Sequence, residues 1–327
     1  KRQLLGVAAF MLALSAHAQD NPLWMRYCAI SPDGTSIAFT YKGDIYTVPV
    51  NGGKAAQITT NAAHDTHPVW SPDGKQIAFA SDRMGSMDIF VVDREGGIPK
   101  RLTTHSGNET PVAFKDADHI LFLANVMPSA EDAQFPSGQF QQVYEVSTTG
   151  DRPVMFSSMP MEDISINKTG NALLYHDKKG YEDPWRKHHT SSITRDIWLC
   201  SLDGKRSYRK LTSFNGEDRT PVWASDGKSF YYLSEEKGSF NVFKRALDGT
   251  SSTQLTHHTK HPVRFLTAAD NGTLCYGYDG EIYTMKEGTE PRKVQISILT
   301  DKNDKDLIRQ IRRNGATEIA LSPDAKK

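Results

Sequence analysis

The chain has 327 residues, with 39 Lys and Arg set against 39 Asp and Glu for a formal charge of zero, and 38% hydrophobic residues. Such a balance carries no electrostatic footprint for nucleic acid or for an anionic membrane, so polyanions are excluded as expected partners. The length is enough to bury a large core within one domain.

At the start, Lys1 and Arg2 precede an apolar run from Leu4 to Leu14, and Ala16-His17-Ala18 supplies a small-x-small cleavage pattern. Residues 1–18 therefore read as a secretory signal, too short for a membrane span, with mature protein from about Gln19 and a periplasmic or otherwise exported location. No initiating Met is present, so the sequence is expected to begin a residue or more late.

The rest is dominated by a repeat. Ser31-Pro32-Asp33-Gly34 followed by Ile37-Ala38-Phe39 returns in degraded form, and the aromatic closing its second strand recurs at Phe39, Phe79, Phe122, Tyr175, Tyr232 and Tyr276, at intervals of 40, 43, 53, 57 and 44 residues. A polar residue, an aliphatic and an aromatic follow each time: Asp44-Ile45-Tyr46, Asp88-Ile89-Phe90, Gln142-Val143-Tyr144, Asp196-Ile197-Trp198, Asn241-Val242-Phe243 and Glu281-Ile282-Tyr283. Glycine turns such as Asn51-Gly52-Gly53 and Asp203-Gly204 come next, leading to segments like Gln57-Ile58-Thr59. Proline presets the first turn angle and glycine takes the positive one, so each period reads as four short antiparallel strands, A to D, joined by tight turns.

One such sheet cannot bury both faces, so copies must stack face to face and the ring must close. The expected fold is an all-β, six-bladed β-propeller over residues 19–299, with four-stranded antiparallel blades at about 24–62, 63–106, 107–158, 159–216, 217–258 and 259–299. Blades 3 and 4 have degenerate A-to-B turns, Lys115-Asp116-Ala117-Asp118 and Asn167-Lys168-Thr169-Gly170, which makes the blade count the most exposed part of this reading. An open sandwich of short strands is the weaker alternative, because a sandwich needs no internal repetition.

In a propeller the D-to-A and B-to-C loops share one face, and long loops on a rigid scaffold are functional candidates. Blade 3 inserts Asn125 to Gln141 and blade 4 inserts Asp177 to Arg195. The blade 4 insert is the least generic stretch, with Trp185, Arg186, Lys187, His188, His189 and Arg195 as candidate peptide-gating or docking residues, since Arg and Trp most often anchor partners. Against this stands a self-packed loop in which Trp185 covers blade edges and the charges pair locally.

Other residue types are read more plainly. Cys28, Cys200 and Cys275 fall in strands of blades 1, 4 and 6 and read as small buried hydrophobes, with a Cys28–Cys275 bridge across the ring closure as the lesser alternative. His64 and His67 before strand A of blade 2, and His257, His258 and His261 before strand A of blade 6, are placed to face one channel end, but the spacing lacks the density of a structural zinc site. They are expected to be solvated rim residues, and no metal or cofactor is expected. Acids before the A strands, among them Asp65, Glu109, Glu162, Asp163 and Asp218, fit turn chemistry better than the paired carboxylates of a glycosidase. No nucleophile elbow, His-Glu-x-x-His or phosphate-cradling glycine loop is present in the sequence.

After the sixth blade, residues 300–314 form a charged linker in which Leu307, Ile308 and Ile311 are spaced for one short helical face. Residues 315–327, with Glu318-Ile319-Ala320-Leu321-Ser322-Pro323-Asp324, restart the repeat. A linker of about 15 residues exceeds the usual connection inside a compact domain, so this strand is expected to open a following domain that is truncated here.

The pattern Ala-x-Ser-Pro-Asp-Gly-x-x-Ile-Ala-Phe, then Asp-Ile-Tyr, Gly-Gly and Gln-Ile-Thr resembles the propeller repeats of periplasmic TolB-like proteins and of the amino-terminal half of tricorn-type serine peptidases. The blade 4 segment from Glu182 to Trp198 is similar to the corresponding stretch of bacterial tricorn homologues. The tricorn resemblance implies a six-bladed propeller followed by a seven-bladed one and by a peptidase region split around a PDZ domain, which would hold the serine nucleophile and its histidine. No catalytic residue carries over onto any position of this sequence. What the resemblance implies is a non-catalytic propeller module of an exported serine peptidase, acting as peptide channel or filter and as an assembly domain. Its partners would be peptides or unfolded polypeptide, downstream domains of the same chain and possible further copies. The alternative is a stand-alone TolB-like periplasmic protein-binding propeller, weakened by the mere handful of residues between Gln19 and blade 1. A third reading, a prolyl-oligopeptidase-like propeller, requires an α/β-hydrolase domain beyond Lys327.

Overall fold

Alternating strand and turn signals at this short spacing build sheets from neighbouring segments, and the computed structural model shows how far that goes. It describes residues 19–20, 22–125, 140–180, 182–183, 185–186, 192–299, 320 and 323. Residues 1–18, 300–314 and nearly all of 315–327, where the signal, linker and restarting strand are expected, lie outside the described residues.

Six four-stranded antiparallel sheets follow one another, each made of four consecutive strands. Blade 1 comprises Arg26–Ile30, Ser36–Tyr41, Asp44–Pro49 and Ala56–Gln57. Blade 2 comprises Asp65–Trp70, Gln76–Ser81, Asp88–Asp93 and Lys100–Arg101. Blade 3 has Glu109–Phe114, His119–Ala124, Gln142–Ser147 and Val154–Ser157. Blade 4 has Met161–Ile166, Ala172–Asp177, Ile197–Ser201 and Ser207–Lys210. Blade 5 is Asp218–Trp223, Ser229–Ser234, Asn241–Ala246 and Ser252–Gln254. Blade 6 is Arg264–Ala268, Leu274–Tyr278, Glu281–Met285 and Arg292–Lys293. The expected six-bladed propeller is thus the observed fold, including the two blades with degenerate turns. No helix among the described residues is long and apolar enough to cross a membrane.

The sequence landmarks have direct physical roles. The B-strand aromatic and the C-strand aromatic stand opposite each other, as in Phe39↔Tyr46 and Phe79↔Phe90. Their ring centroids lie 5.7 to 5.9 Å apart in five blades, the spacing of a favourable cross-strand aromatic pair. In Ser31-Pro32-Asp33-Gly34 the Asp33 carboxylate accepts from the Thr35 amide at 3.0 Å and from the Ser31 and Thr35 hydroxyls, and Gly34 sits at φ 72°. A threonine two residues past strand D closes the blade edge: the Thr59, Thr103, Thr212 and Thr256 hydroxyls accept from the amides of Ile45, Ile89, Ile197 and Val242 at 2.8 to 2.9 Å.

Packing between blades holds the ring. Six buried clusters occupy the six junctions, such as Ala38, Ile45, Trp70, Ile77, Phe79 and Phe90 between blades 1 and 2. Each large side chain so buried contributes about 1.5–3 kcal/mol. Indoles add struts: Trp70 Nε1 donates to the Ala29 carbonyl at 2.9 Å and Trp223 Nε1 to the Ser165 carbonyl at 3.0 Å, each reaching the preceding blade.

The last junction brings the two ends of the ring together without any shared strand. Cys28, Phe39 and Tyr46 of blade 1 pack on Cys275 and Ile282 of blade 6, and all three cysteines are buried free thiols. A small sheet pins the seam, with Ile296–Ile298 lying antiparallel to Gln19–Asp20 and parallel to Gly53–Lys54. The Gly53 and Ala55 amides donate to the Gln295 and Ser297 carbonyls at 2.8 and 2.9 Å. Closure is therefore achieved within residues 19–298, a compact unit, and the sequence reading had no counterpart to this sheet.

Gly52 sits at φ 90° and a Cβ there would meet the Gln295 carbonyl oxygen at 2.5 Å, whereas at its counterpart Gly96, φ 89°, the nearest atom is the Ile58 carbonyl oxygen at 3.6 Å. Gly96→Ala is expected to cost only the left-handed strain of about 1–2 kcal/mol. Gly52→Ala adds displacement of the seam strand and should lose about 2–5 kcal/mol in all. Urea unfolding of both variants checks the difference, and equal losses would remove the seam from this account.

Candidate functional site

Strand A of every blade lines the axis, and five of the six share one irregularity. Pairing with strand B slips between Arg26 and Ala29, Thr66 and Val69, Glu162 and Ser165, Arg219 and Val222, and Arg264 and Thr267. The first unpaired residue of each bulge has a left-handed backbone: Tyr27 at φ 51°, His67 at 55°, Asp163 at 51°, Thr220 at 51° and Phe265 at 56°. Blade 3 slips instead between Pro111 and Ala113. A bulge re-aims a side chain, and each non-glycine residue in this region costs about 1–3 kcal/mol, which is why such outliers point toward functional surfaces. All five line one axial cavity of about 1070 Å³, which extends to Pro32, Lys168, Ser225 and Asp270 at the A-to-B turns. Pro68 and Pro221 fill the second bulge position, where no ladder amide is needed.

The ring of inward residues is two-sided. On the arc of blades 2, 1 and 6, the His67 ring lies tilted by 34° against Tyr27 with centroids 3.6 Å apart, and Tyr27 meets Phe265 at 4.8 Å. Burial pushes the His67 imidazole down to about 4, against a smaller opposing pull from Asp163, so this ring is neutral at physiological pH. On the arc of blades 4 and 5, the Thr220 hydroxyl donates to Asp163 at 2.6 Å. His176 stands behind them, 3.5 Å from Asp163 and 3.2 Å from Glu162.

Beside this mouth lies a buried charge network that fastens the blade 4 insert. Arg186 pairs with Glu217 and, at 2.6 Å, with Glu235. Arg195 reaches Glu162 at 3.2 Å and Glu217 at 2.9 Å. Arg219 and Arg186 stack on the Phe240 ring at 4.0 and 5.1 Å. Burial opposes ionisation of Glu162, but His176, Lys178 and Arg195 together hold its carboxyl well below the usual carboxylate range.

The predicted loop residues therefore divide. Arg186 and Arg195 are buried and ion-paired, holding the middle and the end of the insert against blades 4 and 5. Trp185 is 40% exposed, with the cavity-lining Phe265 at 6.1 Å and the Arg26 and Arg264 guanidinium groups over its ring at 4.6 and 5.0 Å. Lys187, His188 and His189 lie outside the described residues, as do residues 126–139 of the blade 3 insert. Of the five rim histidines, His67 lines the cavity, while His258 stacks on Tyr278 at 3.9 Å and His261 pairs with Asp279 at 3.2 Å. Among the described residues no three His, Cys, Asp or Glu are grouped to hold a metal. Tyr27 and Phe265 escaped the sequence reading; their matching register one residue after Arg26 and Arg264 is the signal that would have paired them.

Asp65, Glu109 and Asp218, which open the A strands of blades 2, 3 and 5, are buried, whereas Glu162 and Asp163 lie within strand A of blade 4 and border the cavity. Glu109 is pushed up to about 7 and Asp218 to about 6, burial being the main cause in both. Asp65 instead takes both of its hydrogen bonds from Arg83 at 2.9 Å.

Residues 22–291 match the family described as the tricorn protease N-terminal beta propeller domain. The chain is 25% identical over 279 residues to Tricorn protease homolog 1 of Streptomyces coelicolor, covering 85% of this chain and 25% of that protein. It is 24% identical over 295 residues to the tricorn protease of Thermoplasma acidophilum, covering 86% of this chain and 26% of the relative. The chain thus spans about a quarter of the length of these curated relatives. A crystal structure of the tricorn protease shares the fold with a TM-score of 0.70 at 20% identity, over 87% of this chain and 27% of that one. TolB from Acinetobacter baumannii shares it at 0.59 and 16% identity, over 84% of this chain and 65% of that one.

Removing Arg186 would take a buried cation from Glu235 and leave Glu217 with Arg195, so Arg186→Ala is expected to lose about 3–5 kcal/mol, and Trp185→Ala less than about 1 kcal/mol; chemical denaturation distinguishes them. The folded chain holds the Glu109 proton up to about pH 7, whereas an unfolded carboxyl releases it near 4.3. Stability from this site is fully present at low pH and is lost as pH rises through about 7. Glu109→Gln should therefore gain on the parent chain by roughly 1–3 kcal/mol between pH 5 and pH 8, and melting curves across that range test the sign.

Proposed function

Because the chain belongs to the family of tricorn protease N-terminal β-propeller domains, we propose that it is the non-catalytic propeller module of an exported tricorn-like serine peptidase. In this reading it acts as a peptide channel or filter, and it assembles with further domains of its parent protein. The observation that carries the proposal is the axial cavity lined by strand A residues of all six blades, from Asp163 and His67 at one end to Lys168 and Asp270 at the other. In this reading a passage lined by strand A backbones admits an extended chain and rejects a folded domain. The exposed Trp185 at the mouth is the gating residue of the blade 4 insert in this reading, while Arg186 and Arg195 keep the insert in place. Export rests on the signal-like residues 1–18.

Expressed alone, the chain should bind unfolded casein or short labelled peptides and cleave none of them. The parent protein should cleave them with loss of activity under a serine-directed phosphonate. Binding of folded envelope proteins with no affinity for peptides would instead favour the stand-alone TolB-like scaffold. In the parent protein Trp185→Ala should change peptide turnover by a few-fold or more while leaving the melting temperature unchanged; unchanged kinetics would remove the insert from gating.

A further inference from the structure

The aromatic side of the channel continues out of the cavity. His67, Tyr27, Phe265 and Trp185 follow one another at centroid distances of 3.6, 4.8 and 6.1 Å, drawn from blades 2, 1 and 6 and from the blade 4 insert. This row differs from the rings of the hydrophobic junctions. Its first three members are half-buried and border the cavity, and Trp185 is 40% exposed. Three of them, His67, Tyr27 and Phe265, are held in left-handed backbone, a region bulky side chains rarely occupy. The ring imposes this bulge at the same register in five blades, and on this arc the bulge turns aromatic side chains to the cavity.

At the outer end of the row the chemistry turns cationic. Arg26 lies over Trp185 at 4.6 Å and over the exposed Trp24 at 5.8 Å. Among the described residues no carboxylate is within ion-pair distance of Arg26, although nearby Arg186, Arg195 and Arg83 all have carboxylate partners. Stacking occupies the planar face of a guanidinium and leaves its N–H edge for a bidentate anion. Arg264, also over Trp185 at 5.0 Å, adds positive potential on the same ring. Of the carboxylates on the facing arc, Asp163 is engaged by Thr220 and Glu162 is paired with His176, Lys178 and Arg195.

We propose that this arc of the channel mouth is a binding site for an extended peptide segment carrying an aromatic side chain next to an acidic one. The ring inserts along His67, Tyr27, Phe265 and Trp185, and the carboxylate pairs with the edge of Arg26. The site rests on the peptide-channel reading and adds a side-chain preference to it. Charge complementarity selects the acidic neighbour, and the ladder of rings selects the aromatic one, because stacking is strongest between offset π-faces. A neutral His67 suits stacking, its imidazole being kept uncharged by burial.

The test is fluorescence anisotropy on the whole chain with three labelled hexapeptides: Ser-Gly-Phe-Glu-Gly-Ser, the same with Ala for Phe, and the same with Lys for Glu. The first should bind about tenfold more tightly than either of the others, the scale of one stacked pair or one exposed guanidinium–carboxylate contact. Tyr27→Gly removes a ring and also relieves the left-handed strain, so it should fold at least as well as the parent. It is expected to abolish the preference for Phe over Ala. Should that variant fail to fold, Phe265→Leu reads the same preference. Arg26→Gln should abolish the preference for Glu over Lys and leave the aromatic preference intact. Equal binding of all three peptides by the parent chain, unchanged in the variants, overturns the site while leaving the peptide channel standing. No binding of any peptide overturns both.

Discussion

A four-stranded blade is apolar on both faces, so no blade can be buried except by two neighbours. Everything else in the molecule follows from that constraint. The cross-strand aromatic pairs, Phe39 with Tyr46 and Phe79 with Phe90, thicken each blade so that adjacent faces interlock. The stacked row must then bend into a ring, because an open row would leave Phe39 and Cys275 on wet outer faces. The seam is the place where this constraint is met with separate parts: a cluster around Cys28 and Cys275 and a three-stranded clip using Ile296–Ile298.

Closing six blades around an axis brings six innermost strands together, and the cost appears there as backbone strain. Five bulges with a left-handed first residue are too regular to be accidents of local sequence, since Tyr, His, Asp, Thr and Phe share no intrinsic preference for that conformation. The tertiary geometry imposes the bulge, and the residue at that position is free to vary in chemistry. That freedom is what gives the channel an aromatic arc on one side and an Asp163–Thr220 arc on the other.

The blade 4 insert shows how an exposed loop is tied to a rigid scaffold. Its two buried arginines end on Glu162, Glu217 and Glu235, carboxylates supplied by blades 4 and 5. A buried network of this kind contributes little net stability over an apolar replacement but loses heavily if one partner is removed. It fixes where Trp185 stands, and so a buried, ion-paired residue and a half-exposed one are adjacent in sequence.

The sequence by itself determined the repeat, the blade count, the four-strand plan and the turn chemistry, because these depend on contacts within some forty residues and on glycine, proline and aromatic spacing. It also singled out the blade 4 insert and its arginine and tryptophan content. Only the tertiary structure decided that Arg186 and Arg195 are buried while Trp185 stays half-exposed beside Phe265, since their partners Glu217 and Glu235 come from the next blade. The same holds for the seam sheet, which joins residues near 20, 54 and 297, and for the alignment of Tyr27, His67 and Phe265, which are dispersed along the chain. Local pattern sets which strands form; the ring, which brings distant strands to one axis, decides what those strands present to a ligand.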